Sequence, residues 1–210
     1  MKSLLASAIL AGISAALTGC GTVSHVTPNA GTQMEIEKYE RVVVLDFEDG
    51  VTPQAKLRDR PRRKAEMNVR TKSFPDRIAI ELDARGVFRE VVRGGTPDDH
   101  TLVLSGVITR YEEGDATLRL MIGMGAGSSY FDARVDFKDG GTSETIASQQ
   151  VNKNSWALGG GVAATQSPDT FMMEAAVRLA DDLASLKRTG KLPAAKPPAT
   201  TGKGAEAKWK

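Results

Sequence analysis

Along the chain the apolar positions change period several times, and each change marks an element. Residues 4–17 form a mainly apolar run behind Met1-Lys2 and end at Leu17-Thr18-Gly19-Cys20. A polar stretch without periodicity follows as far as residue 38. The run 41–47, Arg-Val-Val-Val-Leu-Asp-Phe, is apolar on both faces and predicts a strand in the middle of a covered sheet. Ser73-Phe74-Pro75-Asp76 predicts a helix start, with Pro in the first turn and an acid near the positive end of the dipole. Phe74, Ile78, Ile80 and Leu82 supply its apolar stripe, and Gly86 supplies the left-handed stop. Strands are predicted over 87–92, 101–111 and 117–121. Residues 130–137 alternate strictly, which turns Phe131, Ala133, Val135 and Phe137 inward. Asp139-Gly140-Gly141 is a turn signal, so 145–153 returns antiparallel. Ser167 and Pro168 then open the clearest helix, with Phe171 or Met172, Ala175, Leu179, Leu183 and Leu186 on one stripe and Gly190 at its end. Glu174, Arg178, Asp181, Asp182 and Lys187 take its remaining positions.

These elements predict an α/β (α+β) domain: a single mixed sheet of about five strands with two packed helices, in the order β-α-β-β-β-β-α. Residues 1–19 read as a cleavable export signal, 20–38 as a flexible tether, 39–190 as the domain and 191–210 as a disordered Lys/Pro/Ala tail. Fourteen apolar residues are fewer than the about 20 that a spanning helix needs. A tether of this kind puts the domain about 20 to 25 Å from its starting point.

Charge alters the picture in one respect. The chain carries a formal +2 and a pI near 8.7, with 5% aromatic residues. Six cations against Glu206 sit in 188–210, and Lys2 lies in the signal, so the body is near −4. The basic pI is a property of the tail, and nucleic acid is not an expected partner. The only cysteine is Cys20, which excludes an internal disulfide.

Candidate chemistry is sparse. Arg58, Arg60, Arg62, Arg63 and Lys64 crowd ahead of the first predicted helix and form a possible contact for an anionic partner, or an ordinary solvated face. Gly123, Gly125 and Gly127 resemble a phosphate loop. The strand predicted after them removes that reading, because such a loop needs a following helix whose N–H groups face the anion. Two readings stay open for this stretch and for Trp156, Gly159, Gly160 and Gly161: close backbone packing, or a flat patch against a partner or bilayer. Asp98-Asp99-His100 lacks the spaced third and fourth ligands of a zinc site, His25 reads as a solvated side chain, and Asp46 reads as a loop-capping acid at a strand end. No cofactor and no metal are expected.

Leu17-Thr18-Gly19-Cys20 resembles the lipobox of bacterial lipoproteins. The resemblance implies that the Cys20 thiol carries a diacylglycerol, that cleavage precedes Cys20, and that its amine is then acylated, with palmitate as a measurable acyl group. Gly21 in place of Asp after the cysteine implies sorting to the outer membrane. The lipobox, the Val-Val-Val-Leu-Asp-Phe strand, the Gly86-Val87-Phe88 helix exit, the Leu-Val-Leu-Ser-Gly-Val-Ile-Thr strand and Gly-Met-Gly-Ala-Gly together resemble a family of bacterial lipoproteins known only as a domain of unknown function. More distantly, the first strand and element order are similar to the curli-secretion lipoprotein and to the lipoprotein activator of penicillin-binding proteins, neither of which is an enzyme. The expectation is a non-enzymatic, lipid-anchored outer-membrane protein with a periplasm-facing domain, acting as an adaptor with a protein partner in envelope assembly or transport. The alternative is an oligomeric secretion or pore component, a homo-oligomer using its glycine-rich stretches.

Overall fold

In the computed structural model of the chain, residues 20–30, 34–122, 126–155 and 166–193 are described. Strands β1 (Cys20–Val23), β2 (Thr27–Pro28), β3 (Arg41–Val44) and β4 (Glu48–Asp49) precede helix α1 (Arg60–Arg85). Then come β5 (Glu90–Arg93), β6 (Thr101–Glu112), α2 (Ala116–Met121), β7 (Tyr130–Asp139), β8 (Thr145–Asn154) and α3 (Pro168–Thr189). Among the described residues these strands make one sheet in the order β1-β8-β7-β6-β3-β5, with β2 beside β8 and β4 beside β6. The half from β6 to β1 is antiparallel, and β3 runs parallel to both β5 and β6. The predicted class holds, in a sheet with more strands than five.

Period-2 alternation puts Leu102, Leu104 and Ile108 of β6 and Phe131, Ala133, Val135 and Phe137 of β7 on one face. That face packs against Met67, Phe74, Ile78 and Leu82 of α1 and against Phe171, Ala175, Leu179 and Leu183 of α3 in a single core. Phe74 stands edge-on to both Phe47 and Phe131, at centroid separations of 5.2 and 5.1 Å. Removing its fully buried ring would cost about 3–5 kcal/mol. Gly106 makes room for the Phe47 ring, since a Cβ there would lie 2.6 Å from it.

Three expectations change. Helix α1 starts at Arg60, not near Ser73, and Pro75 lies inside it. Proline has no N–H to give the carbonyl four residues back. That carbonyl, on Thr71, accepts instead from the Phe47 N–H at 2.9 Å, so the β3–β4 connection satisfies the group that Pro75 leaves open. Residues 117–121 fall in a helix, because the Asp115 carboxylate accepts from the N–H groups of Thr117 (2.8 Å) and Leu118 (3.0 Å) and caps it. Residues 20–38, expected as a tether, carry β1, β2 and the short 3-10 turn Ile36–Lys38, with Val26 and Ile36 in the core. Without them β8 would be an open edge.

Candidate functional site

The inward positions of β8 read Ala147, Gln149, Val151, Lys153, so two polar groups face α3 inside the core layer. Helix α3 answers them at four-residue spacing with Glu174, Arg178 and Asp182. Lys153 pairs with Glu174 at 2.7 Å. Asp182, with no exposed surface, lies 3.2 Å from His25 Nδ1 and accepts from the Val26 N–H at 3.3 Å. Arg178 pairs with Asp182 at 3.3 Å, and its Nη2 approaches His25 Nε2 to 2.7 Å. The imidazole thus stands between the two, with Nδ1 toward Asp182 and Nε2 toward Arg178. Burial lifts the Asp182 carboxyl above its ordinary value, against the pull of Arg178 and His25. Gln149 completes the seam by donating to the Ser24 carbonyl at 2.8 Å.

The chemical result is a clamp on the N-terminal segment. The sequence makes His25 a solvated side chain and places Arg178 and Asp182 off the apolar stripe of their helix; the structure joins all three. The i, i+4 spacing of Glu174, Arg178 and Asp182 was visible in the sequence. Their partner was not, since His25 stands 157 positions from Asp182.

The clamp fixes the strand that begins at Cys20. Cys20 pairs with Asn154 of β8, Asn154 with Tyr130 of β7, and Tyr130 with Glu112 of β6. One end of the sheet thus gathers the start of β1, the end of β8, the start of β7 and the end of β6. Helix α2 follows β6 directly at this end. Gly127 lies here too, at φ +69°, where a Cβ would stand 2.4 Å from the Asp115 carbonyl oxygen; only glycine fits so close a crossing. Gly123, Gly125, Trp156, Gly159, Gly160 and Gly161 lie outside the described residues. Leu118, Met121 and Ile122 are 42%, 78% and 63% exposed, an apolar group the strand prediction for this segment had hidden.

The basic cluster does not converge. Arg58 pairs with Asp59, Arg60 donates to the carbonyls of Pro53 and Ala55, and Arg63 donates to Glu66 and the Tyr111 carbonyl, while Arg62 and Lys64 are exposed. Near Arg63, Arg110 stacks on Tyr130 at 3.5 Å and pairs with Glu112 at 3.0 Å, on the rim of a groove that also holds Asp132. Burial raises the Asp132 carboxyl, with Arg110 opposing. Asp46 pairs with Arg93 at 2.6 Å, and the Asp98 carboxylate accepts from the Thr101 hydroxyl at 2.6 Å. His100 and Glu112 flank the two ends of β6, about 40 Å apart along an extended strand. Among the described residues no three of His, Cys, Asp and Glu gather as a metal-holding group, and no helix is long and apolar enough to cross a membrane.

Among solved structures, the fold is similar to a PelC dodecamer from Paraburkholderia phytofirmans, at 14% identity over 80% of this chain and 96% of that chain, with a TM-score of 0.45. It is also similar to a Xanthomonas campestris protein of family DUF330, at 13% identity over 81% of this chain and 94% of that chain, with a TM-score of 0.41. No curated protein matches the chain significantly. The model of a domain of unknown function, DUF4410, matches residues 42–203, nearly the whole of the packed unit from β3 onward, and the chain belongs to that family.

Proposed function

We propose that this protein is a non-enzymatic outer-membrane lipoprotein, acylated at Cys20, whose domain faces the periplasm and serves as an adaptor in envelope assembly or transport. The observation that carries this reading is the place of the lipobox cysteine. Leu17-Thr18-Gly19-Cys20 supplies the processing motif, and the residue that would take the lipid is the first of β1, hydrogen-bonded to β8 and held by the His25–Asp182 clamp five residues later. An anchor built into the sheet gives the domain a fixed bearing on the membrane, which suits a protein that presents a surface to a partner. Three acyl chains exceed the two that make anchoring stable. Several of the charged side chains described are engaged in ion pairs and caps that hold the fold, among them Asp46, Asp115 and Glu174.

Intact-mass analysis of protein extracted from the outer-membrane fraction tests the reading. The expected chain begins at Cys20 and carries diacylglyceryl and N-acyl mass, and Cys20→Ala abolishes both the mass and palmitate incorporation. A mature chain that begins elsewhere without acyl mass, or palmitate that persists in Cys20→Ala, overturns it.

A further inference from the structure

A soluble domain ordinarily turns its apolar residues inward and leaves single ones at the surface. Leu57, Val69, Ile80 and Met173 are exposed one at a time along the sequence, eleven or more positions from one another. Leu118, Met121 and Ile122 are not: three exposed apolar side chains fall within five residues. Their backbone is held firmly. The Asp115 carboxylate caps the helix, the Asp115 N–H donates to the Gly127 carbonyl at 2.8 Å, and the Ile122 N–H donates to the Leu118 carbonyl at 3.0 Å.

The register says what lies opposite. Cys20, Asn154, Tyr130 and Glu112 form one row across four adjacent strands. At about 4.8 Å per strand, the row is about 14 Å long, and α2 begins four residues beyond it. A lipid on Cys20 therefore brings the headgroup layer to this end of the sheet, with no tether to lift the domain away. Carboxylates nearby would oppose an anionic surface, yet three of them have partners: Glu112 on Arg110 at 3.0 Å, Glu113 near Arg70 at 3.8 Å, Asp115 on the α2 N–H groups.

We infer that α2 is a second membrane contact: Leu118, Met121 and Ile122 enter the interface of the same bilayer that holds Cys20, so the strands of β6, β7 and β8 stand end-on to the membrane. The inference rests on acylation of Cys20. Apolar side chains lying about 5 to 10 Å into the headgroup–acyl boundary are the usual mode of such contacts. Two points, one on β1 and one on α2, hold an orientation that one lipid cannot, and the far turn of the β7–β8 hairpin then projects about 30 Å from the surface.

Because acylated Cys20 has no free thiol, a reporter cysteine can be labelled alone in the lipidated full chain. Met121→Cys and, as the distal control, Glu144→Cys would carry an environment-sensitive fluorophore in vesicles of phosphatidylethanolamine and phosphatidylglycerol doped with shallow doxyl-lipid quencher. The label at position 121 is expected to shift to the blue and to be quenched several-fold more than the label at 144. Adding Leu118→Ser and Ile122→Ser to the 121 reporter should remove most of that difference without changing the circular dichroism. Equal quenching at 121 and 144, or a blue shift at 121 without quenching, overturns the inference. Intact mass of the same preparation separates the two claims. An acylated chain unquenched at 121 removes this inference alone, whereas a chain without acyl mass removes the lipoprotein reading and the inference with it.

Discussion

The two ends of the β7–β8 hairpin show opposite solutions to closing a sheet. At the Asp139 end the buried carboxylate is satisfied inside the protein. The carboxylate accepts from the Tyr39 hydroxyl at 2.8 Å, lies 2.9 Å from Lys38 Nζ, and accepts from the N–H groups of Gly141 and Thr142 at 3.0 Å. Lys38, then the Thr142 N–H and the Tyr39 hydroxyl, hold that carboxyl well below the usual carboxylate range. Burial, helped by Asp139, pushes the Tyr39 phenol up to about 12. At the Cys20 end, by contrast, a capped helix turns apolar side chains outward. Asp139 closes one end from within; at the other, among the described residues, Leu118, Met121 and Ile122 stay exposed.

That contrast predicts a ranking of effects. Asp139→Ala should be the most damaging change, because it leaves the buried Tyr39 hydroxyl without an acceptor and frees two turn N–H groups, costing about 3 kcal/mol in urea unfolding. Gly127→Ala forces a side chain into a left-handed backbone pressed against Asp115. A loss of about 2 kcal/mol is expected, with faster hydrogen exchange in α2 as its local signature. Asp182→Asn keeps the shape of the clamp but weakens its pairing with Arg178 and His25. The cost is about 1 kcal/mol, and amide exchange over residues 22–28 should accelerate more than in β6 or β7. Asp139→Asn probes the closed end through pH. Its native carboxyl is held below the unfolded value of about 3.9, so its stabilisation is present above that value and is lost as pH falls through it toward the lower native one. Urea midpoints at pH 7 and pH 3 should therefore converge in Asp139→Asn relative to the wild type. Met121→Ser should change stability by less than about 0.5 kcal/mol, since the side chain is already 78% exposed. A destabilisation above 2 kcal/mol there would mean that α2 is core, and the contrast between the ends would fail.

Where a local rule was strong, the sequence was sufficient. Ser167, Pro168 and Gly190 bound α3, with the Ser167 hydroxyl accepting from the Thr170 N–H at 3.2 Å, and the strict alternation of 130–137 yields β7. Where a distant group compensated a local defect, it was not. Pro75 reads as a helix start because its missing N–H is costless in a first turn, and it sits mid-helix only because Phe47 takes the orphaned Thr71 carbonyl. Asp182 falls off the apolar stripe of its helix, yet it is fully buried, because the fold brings His25 and Arg178 to a carboxylate whose isolated burial would be prohibitive.

By itself, then, the amino-acid sequence determined the class of the domain, the two long helices' C-terminal stops, the inward face of the central strands and the position of one modifiable cysteine, since each follows from residues within a few positions of one another. Tertiary structure alone decided that the segment after Cys20 is sheet and not tether, that α3 carries a polar clamp within its buried face, and that Cys20 and α2 share one end. These depend on hydrogen-bond partners and strand register across more than a hundred residues. Periodicity along a chain says which face of an element is buried and says nothing of which element lies against it.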